Sequence, residues 1–320
     1  MTATQFRLLC VAFLLLTSCV EHQIFFQLHP DGDIYAKIES RGDSLDIHDY
    51  DFIHPSFLNG SSKKEKYQQG QEINYRHVTE GIIQDSVFIF VQEGEIPLGY
   101  SIKRFILKNW FLSTYSLMIE FNGRKIKNTY PKLYEAILSE KTDSLYWLPE
   151  ALVVLLEKSL HDIYGDTILP NQKKQNQRIA NHLNNSFARM TSIEDLNRIQ
   201  KNRLAFFTDL LVPLDVHQEL PTQIVRNMKP HEDKLKSTID LNDDHFIVKM
   251  VIPGQVSSTN ASEFSGDTLV WNFTLDSLLS TGYTLHAQAT VSAIDDVEIV
   301  LIFAGFLILV FIVYRMNKKT

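Results

Sequence analysis

The first 19 residues of the chain have the composition of an export signal that ends in a cysteine. Arg7 and the free amino terminus supply positive charge, residues 8–16 form a short apolar core, and two small polar residues precede Cys19. Bacterial signal peptidases cut before such a cysteine when it receives lipid. Residues 1–18 are therefore predicted to be a lipoprotein signal peptide, with Cys19 as the lipidation site. The alternative is an ordinary signal peptide in which Cys19 is incidental.

The cysteine content then restricts how the exported body can be stabilised. The chain has two cysteines, of which Cys10 leaves with the signal peptide and Cys19 carries lipid. The body therefore has no thiol for a disulfide or a thiolate metal site, and its stability must come from a packed core. Two or more acyl chains, at about 0.8 kcal/mol per buried methylene, would anchor it stably to a membrane.

A second apolar run lies near the carboxyl terminus, at residues 297–314. Its central part, residues 299–314, carries no charged side chain; acidic residues precede it and three basic residues follow it within 315–320. Because basic flanks stay in the cytoplasm, the pattern predicts a transmembrane helix over 297–314, a cytoplasmic basic tail at 315–320 and a body outside. A buried core helix is the alternative, but such a helix is usually amphipathic and this run is apolar all round.

The body between these segments divides into three parts by local pattern. Residues 19–127 are rich in alternating apolar and polar positions, and two such runs flank a turn-forming tetrapeptide at 29–32, which predicts a hairpin. Residues 128–233 have helical patterns, the clearest at 149–165, with a proline in its first turn and a glycine suited to end it. Residues 234–293 return to strand patterns.

These parts predict the fold class α+β, with an antiparallel β-rich extracytoplasmic body, an inserted helical region and one C-terminal transmembrane helix. The chain enters the first β part directly after Cys19 and leaves the last one shortly before residue 297. Both ends of the body are therefore expected on one side, and that side would face the membrane.

Charge excludes nucleic acid as a partner but singles out one basic stretch. The whole chain has a net charge of −7, which lacks the positive field that nucleic-acid binding needs. Residues 171–204 nevertheless hold seven bases against two acids. The stretch is either a solvated helix face or a surface for anionic headgroups, where each base is worth about 1 kcal/mol. Its bases are Lys173, Lys174, Arg178, Arg189, Arg198, Lys201 and Arg203.

Two segments resemble a known family. Residues 253–275 (PGQVSSTNASEFSGDTLVWNFTL) resemble the closing motif of the LppM-type domain of bacterial lipoproteins, where a strand ends in Pro-Gly and a Gly-Asp turn precedes a tryptophan strand. Residues 22–40 resemble the first hairpin of that domain, and the likeness lies mainly there and in 245–291. The resemblance implies an envelope lipoprotein of undefined role that binds lipid or glycolipid, and it brings no catalytic residues.

Metal-ligating residue types crowd one segment without a recognised spacing. They could supply oxygen and imidazole ligands, but such residues at loose spacing are common in polar loops. No metal or cofactor is therefore predicted. The residues in question are Asp46, His48, Asp49, Asp51 and His54.

The other chemical candidates are weaker. Arg41, Gly42 and Asp43 spell an adhesion tripeptide, but they directly follow a predicted strand and form a turn more readily than a recognition site. The paired carboxylates of Asp243 and Asp244 are ordinary for a loop. No hydrolase, phosphate-binding or dinucleotide-binding motif is present, so the chain is predicted not to be an enzyme.

The sequence thus predicts a membrane-anchored envelope lipoprotein whose body binds lipid or glycolipid. It would lie on the bacterial cell membrane, on the inner membrane if the cell has two, with its body facing the periplasm or the exterior. The alternative is an accessory or assembly subunit that binds an envelope membrane protein; a hydrolase is less favoured. An apolar pocket would favour lipid, a flat exposed apolar patch a protein partner, and a buried hydrogen-bonded acid and base an enzyme.

Overall fold

The computed structural model describes most of the body and a short part of the carboxyl-terminal run. The described residues are 20–44, 51–57, 59–69, 72–91, 95–165, 170–190, 192, 194, 197, 199, 201–292 and 304–311. In them two β-sheets pack face to face, and a helical region joins the last strand of the first β part to the first strand of the second.

The strands occupy both ends of the described body. They are β1 (Glu21–Leu28), β2 (Ile34–Gly42), β3 (Ser61–Gln69), β4 (Glu72–Ile83), β5 (Val87–Phe90), β6 (Tyr100–Lys108), β7 (Leu112–Asn122), β8 (His245–Val251), β9 (Gln255–Thr259), β10 (Glu263–Ser265), β11 (Thr268–Thr274) and β12 (Gly282–Ser292). Among the described residues, one sheet has the order β10-β11-β8-β1-β2-β4-β3 and the other β5-β6-β7-β12-β9.

Alternation of apolar and polar residues places the core between the sheets. In β1 every second side chain from His22 to Leu28 is buried, and Phe26 has no exposed surface. In β7 the buried positions run from Tyr115 to Phe121. The ring of Phe121 lies 5.1 Å from that of Phe273 on the facing sheet. Burying a Phe side chain contributes about 1.5–3 kcal/mol, so this interface stabilises the body.

The predicted hairpin at 29–32 is confirmed, since Leu28 pairs with Ile34 across that turn. The body fits the predicted α+β class, but its antiparallel pairing has an exception: β1 and β8 pair in parallel, with Glu21 opposite His245. Parallel neighbours need a long crossover connection. The helical region lies within that crossover, and it returns the chain to the end of the sheet where β1 begins.

The helices between β7 and β8 pack mainly on one another. Among the described residues, they are α1 (Ile126–Thr129), α2 (Pro131–Leu138), α3 (Leu148–Tyr164), α4 (Pro170–Phe187), α5 (Arg203–Leu211) and α6 (Leu220–Asp240). The helix predicted at 149–165 is α3, and Gly165 ends it with a φ of +66° that only glycine adopts freely. Contacts among α3, α4 and α6 bury the apolar faces of these helices.

The direction of β1 distinguishes the two ends of the sheets. We call the end where β1 begins the proximal end and the end where β1 turns into β2 the distal end. At the distal end the Tyr115 hydroxyl donates to the Pro30 carbonyl over 3.2 Å. The last residue of β12, Ser292, pairs with Leu112, three positions before Tyr115. The chain therefore leaves the body at the distal end.

The expectation that both ends of the body lie on one side is therefore wrong. The chain enters at Val20 on the proximal end and leaves after Ser292 on the distal end. The eight residues of β1 separate the two ends by about 26 Å at the usual strand rise. The pairing of β12 with β7 causes this arrangement, because it runs β12 away from the proximal end.

No helix among the described residues is both long and apolar enough to cross a membrane. Within the predicted span at 297–314, the described helix covers residues 304–311. By this finding, the prediction of a C-terminal transmembrane helix is wrong. The predicted cytoplasmic position of residues 315–320 depended on that helix and is no longer supported. Residues 297–303 and 312–320 lie outside the described residues.

Candidate functional site

The end of β7 is held against the start of β12 in a tight approach. Gly123 follows β7, and a Cβ atom on it would lie 2.4 Å from the backbone nitrogen of Gly282. Only glycine permits this contact. The next residue, Arg124, donates its backbone N–H to the Leu278 carbonyl over 2.7 Å. The chain thus turns from the sheet into the helical region at the proximal end.

The Arg124 side chain is buried and joins three parts of the fold. Its Nε donates to Thr238 Oγ1 over 2.8 Å, and its Nη2 donates to the carbonyls of Ile96 and Lys234 over 2.9 and 3.2 Å. Burial lowers the pKa of Arg124 to about 10, although the Asp51 carboxylate opposes the shift. The guanidinium therefore stays charged at neutral pH and connects α6 to the segment before β6.

A cleft of about 390 Å³ opens beside Arg124, between the β7 end and the helices α3 and α6. Five of its lining residues are basic, and none of the described residues that line it is acidic. A concave surface of one charge sign concentrates ions of the opposite sign. We call this the basic cleft; its basic residues are Arg124, Lys125, Lys158, His231 and Lys234.

Lys158 is the base of the cleft with the most unusual surroundings. Its Nζ donates to the Tyr130 hydroxyl over 3.2 Å and lies 4.9 Å from the centroid of that ring. Burial lowers the pKa of Lys158, while the Asp162 carboxylate raises it. The Asp162 carboxylate also accepts a hydrogen bond from His231 Nε2 over 2.7 Å. An anion in the cleft would favour the charged form of Lys158, since it would restore the charge interaction that burial removes.

A second polar arrangement lies between the strands of the larger sheet. His22 Nε2 is 3.1 Å from Asp244 Oδ2, and His22 Nδ1 is 2.7 Å from Ser40 Oγ. Ser40 Oγ is also 2.7 Å from His54 Nε2, and His54 Nδ1 is 3.1 Å from Thr79 Oγ1. We call this series of five side chains the histidine chain. It crosses β8, β1, β2 and β4 at the proximal end.

The hydrogen bonds of the histidine chain can all point in one direction. A carboxylate only accepts, so His22 Nε2 donates to Asp244, and with a single proton on the imidazole the Nδ1 accepts from Ser40. Ser40 has one proton and then accepts from His54. Burial is the main cause that lowers the pKa of His54 to about 2, and the basic groups around it have smaller effects in the same direction. His54 is therefore neutral, and its Nδ1 accepts from Thr79.

The residue types Asp244, His22 and Ser40 match those of a hydrolytic triad. Their exposed fractions are only 2%, 2% and 4%, so no substrate carbonyl could reach the Ser40 hydroxyl in this conformation. The arrangement instead satisfies polar groups buried between strands. The sequence analysis treated Asp244 as an ordinary loop residue and did not predict its contact with His22. The one available signal was that His22 occupies an inward position of the alternating β1 pattern.

The residues singled out from the sequence do not form one site. Cys19 lies outside the described residues, and the adjacent Val20 is buried. Asp51 accepts from the backbone N–H of Phe52, and His54 belongs to the histidine chain. Asp46, His48 and Asp49 lie outside the described residues. Where the chain is described, no three His, Cys, Asp or Glu side chains are grouped to hold a metal ion.

The adhesion tripeptide and the basic stretch are also separate from the cleft. Arg41 lies in β2, where its Nε donates to Glu39 over 2.6 Å. In the basic stretch Arg203 pairs with Glu232 on α6. Its other described bases are exposed, and contact with lipid remains a prediction; they are Lys174, Arg178, Arg189 and Lys201.

Comparisons with known proteins are sparse. No family model matches the chain, and no curated protein matches it. A search of solved structures finds the folded domain of Mycobacterium tuberculosis LppM, determined by NMR. The match covers 88% of this chain and 94% of that one, at 8% identity and a TM-score of 0.27. The predicted resemblance to the LppM-type domain is thus supported only as a weak structural likeness.

Proposed function

We propose that this chain is a bacterial envelope lipoprotein, attached through lipid on Cys19, whose body binds an anionic group in the basic cleft. The ligand class is a phosphate or carboxylate headgroup of a lipid or glycolipid. The observation that carries the proposal is the lining of the cleft, with five basic residues and none that is acidic among the described residues. Binding rather than turnover is supported by the burial of Asp244, His22 and Ser40.

The position of the cleft relative to Cys19 supports a headgroup as the ligand. Thr238, which lines the cleft, precedes Asp244 by six residues, and a chain of that length spans at most about 20 Å. The next residue, His245, donates its backbone N–H to the Val20 carbonyl over 2.9 Å. Val20 directly follows Cys19. A lipid on Cys19 would therefore hold the cleft near the headgroup region.

The expected strength follows from the number of bases. Each base near an anionic membrane surface contributes about 1 kcal/mol, and screening at physiological salt has a length of about 8 Å. Lys125 and Lys158 come from different walls of the cleft. Together they should contribute about 2 kcal/mol, which corresponds to about 30-fold in affinity.

Calorimetry with short-chain soluble lipids tests the proposal without interference from the anchor. The purified full chain should bind dihexanoyl phosphatidylglycerol and bind dihexanoyl phosphatidylcholine far more weakly. Lys125→Gln combined with Lys158→Gln should weaken the affinity for the anionic lipid by about 30-fold. The matched control is Lys37→Gln with Lys249→Gln, two half-buried lysines on the larger sheet. Equal affinity for both lipids, or equal effects of both double variants, would refute the proposal.

A further inference from the structure

The hairpin between β6 and β7 ends in two exposed aromatic side chains. Asn109 donates its backbone N–H to the Leu112 carbonyl over 2.8 Å, which closes the turn. Trp110 and Phe111 lie within it, 80% and 45% exposed, with ring centroids 5.0 Å apart in an edge contact. A loop tip in water usually carries small polar residues. These two side chains therefore indicate a surface that contacts something other than water.

The exposed apolar surface continues from the turn onto the outer face of the smaller sheet. Alternate residues of β6 face outward, and Phe105 and Leu107 are 60% and 62% exposed. A contiguous apolar surface of this kind marks an interaction site. We call these four residues the apolar tip: Phe105, Leu107, Trp110 and Phe111.

The apolar tip lies where the chain leaves the body. Ser292, the last residue of β12, pairs with Leu112, next to Phe111. The described helical residues 304–311 follow twelve positions later in the sequence, and the side chains at 306–311 are all apolar and 49–62% exposed. Two exposed apolar surfaces are thus joined by a short length of chain.

We infer that the apolar tip docks on the surface of a lipid bilayer. Trp side chains favour the interface between headgroups and hydrocarbon, where their apolar rings and polar N–H groups are both satisfied. Trp110 and Phe111 project from a turn, and such a convex shape enters lipid without a complementary pocket. Lys108 is exposed beside them, with its Nζ donating to the Pro30 carbonyl over 3.1 Å, and places a positive charge at the same end of the body.

This inference rests on the membrane attachment in the proposed function and adds an orientation to it. The lipid on Cys19 would hold the proximal end, whereas the apolar tip lies at the distal end about 26 Å away along β1. Both ends can contact one bilayer only if the strands run roughly along its surface. The body would then lie on its side.

Trp110 is itself a suitable probe for the test. The chain has three tryptophans, and the other two, Trp147 and Trp271, are 7% and 0% exposed. The full lipidated chain is reconstituted in phosphatidylcholine vesicles with brominated acyl chains, and its fluorescence is compared with that in vesicles without bromine. Docking predicts quenching by the brominated lipid, a blue-shifted emission and protection of Trp110 from iodide. Trp110→Phe should abolish all three effects.

Two double variants test whether docking depends on the apolar tip or on any exposed apolar residue. Leu107→Ser with Phe111→Ser should increase the access of iodide to Trp110. Leu204→Ser with Val212→Ser, which changes exposed apolar residues of the helical region, should leave it unchanged.

Three results would overturn the inference, and each has a separate signature. Protein that floats with vesicles while iodide reaches Trp110 retains its anchor but does not dock. Protection from iodide without quenching by brominated lipid means that a second copy or a membrane protein covers the tip. Protein that does not float lacks the attachment itself. Failure of the basic cleft is measured separately, by calorimetry of the Lys125 and Lys158 variant.

Discussion

The imidazole Nε2 of His22 lies 3.1 Å from the carboxylate Oδ2 of Asp244, and the two side chains are only 3% and 1% exposed. His22 is on β1 and Asp244 directly precedes β8, so the contact joins the two strands that pair in parallel. Ser40 on β2 hydrogen-bonds the other ring nitrogen. The pair thus connects three neighbouring strands of the larger sheet at the end where the chain enters.

Asp244→Ala should destabilise the body strongly. The substitution leaves the His22 Nε2–H buried without an acceptor, and an unsatisfied buried donor costs about 1–3 kcal/mol. Urea denaturation followed by circular dichroism measures the free energy of unfolding. Asp267→Ala, an exposed aspartate in the turn before β11, is the matched control and should change it by less than about 0.5 kcal/mol. Similar losses in both variants would contradict a role for the buried pair.

Stability should fall with acid because of His54. Burial lowers the pKa of His54 to about 2 in the folded protein, whereas an unfolded histidine has a pKa of 6.5. The unfolded state therefore binds a proton first, so the contribution is complete above pH 6.5 and is lost progressively as the pH falls toward 2. The slope reaches about 1.4 kcal/mol per pH unit.

Urea midpoints between pH 7 and pH 4 measure this slope. His54→Gln should flatten it, and His217→Gln, which changes an exposed histidine of the helical region, should not. A slope that is the same in the His54 variant would assign the acid sensitivity to other groups.

The mature protein should begin at Cys19 with glyceryl and acyl groups attached. The prediction follows from the apolar core and the small residues that precede this cysteine. Mass spectrometry of the mature amino terminus tests it, and Cys19→Ala should remove the lipid while Cys10→Ala should not. An unmodified mature terminus at another residue would show that the signal is of the ordinary kind.

Local sequence patterns predicted the parts of the fold that depend on neighbouring residues. The β1–β2 hairpin follows from alternation on both sides of a turn at 29–32, and α3 follows from its proline, its apolar face and Gly165. These features are encoded within a few residues because the strand and helix repeats are themselves short. The same local pattern led to an error at 297–314, where an apolar run was taken for a membrane-spanning helix.

The tertiary structure decided which distant residues meet. His22 and Asp244 are 222 positions apart, and their contact exists only because the helical region returns the chain to lie parallel to β1. The basic cleft likewise draws Lys125, Lys158 and Lys234 from three separate segments. No repeat in the sequence carries that information, since the pairing of β12 with β7 and of β8 with β1 is selected by packing across the whole core. That packing also placed the two ends of the body at opposite ends of the sheets.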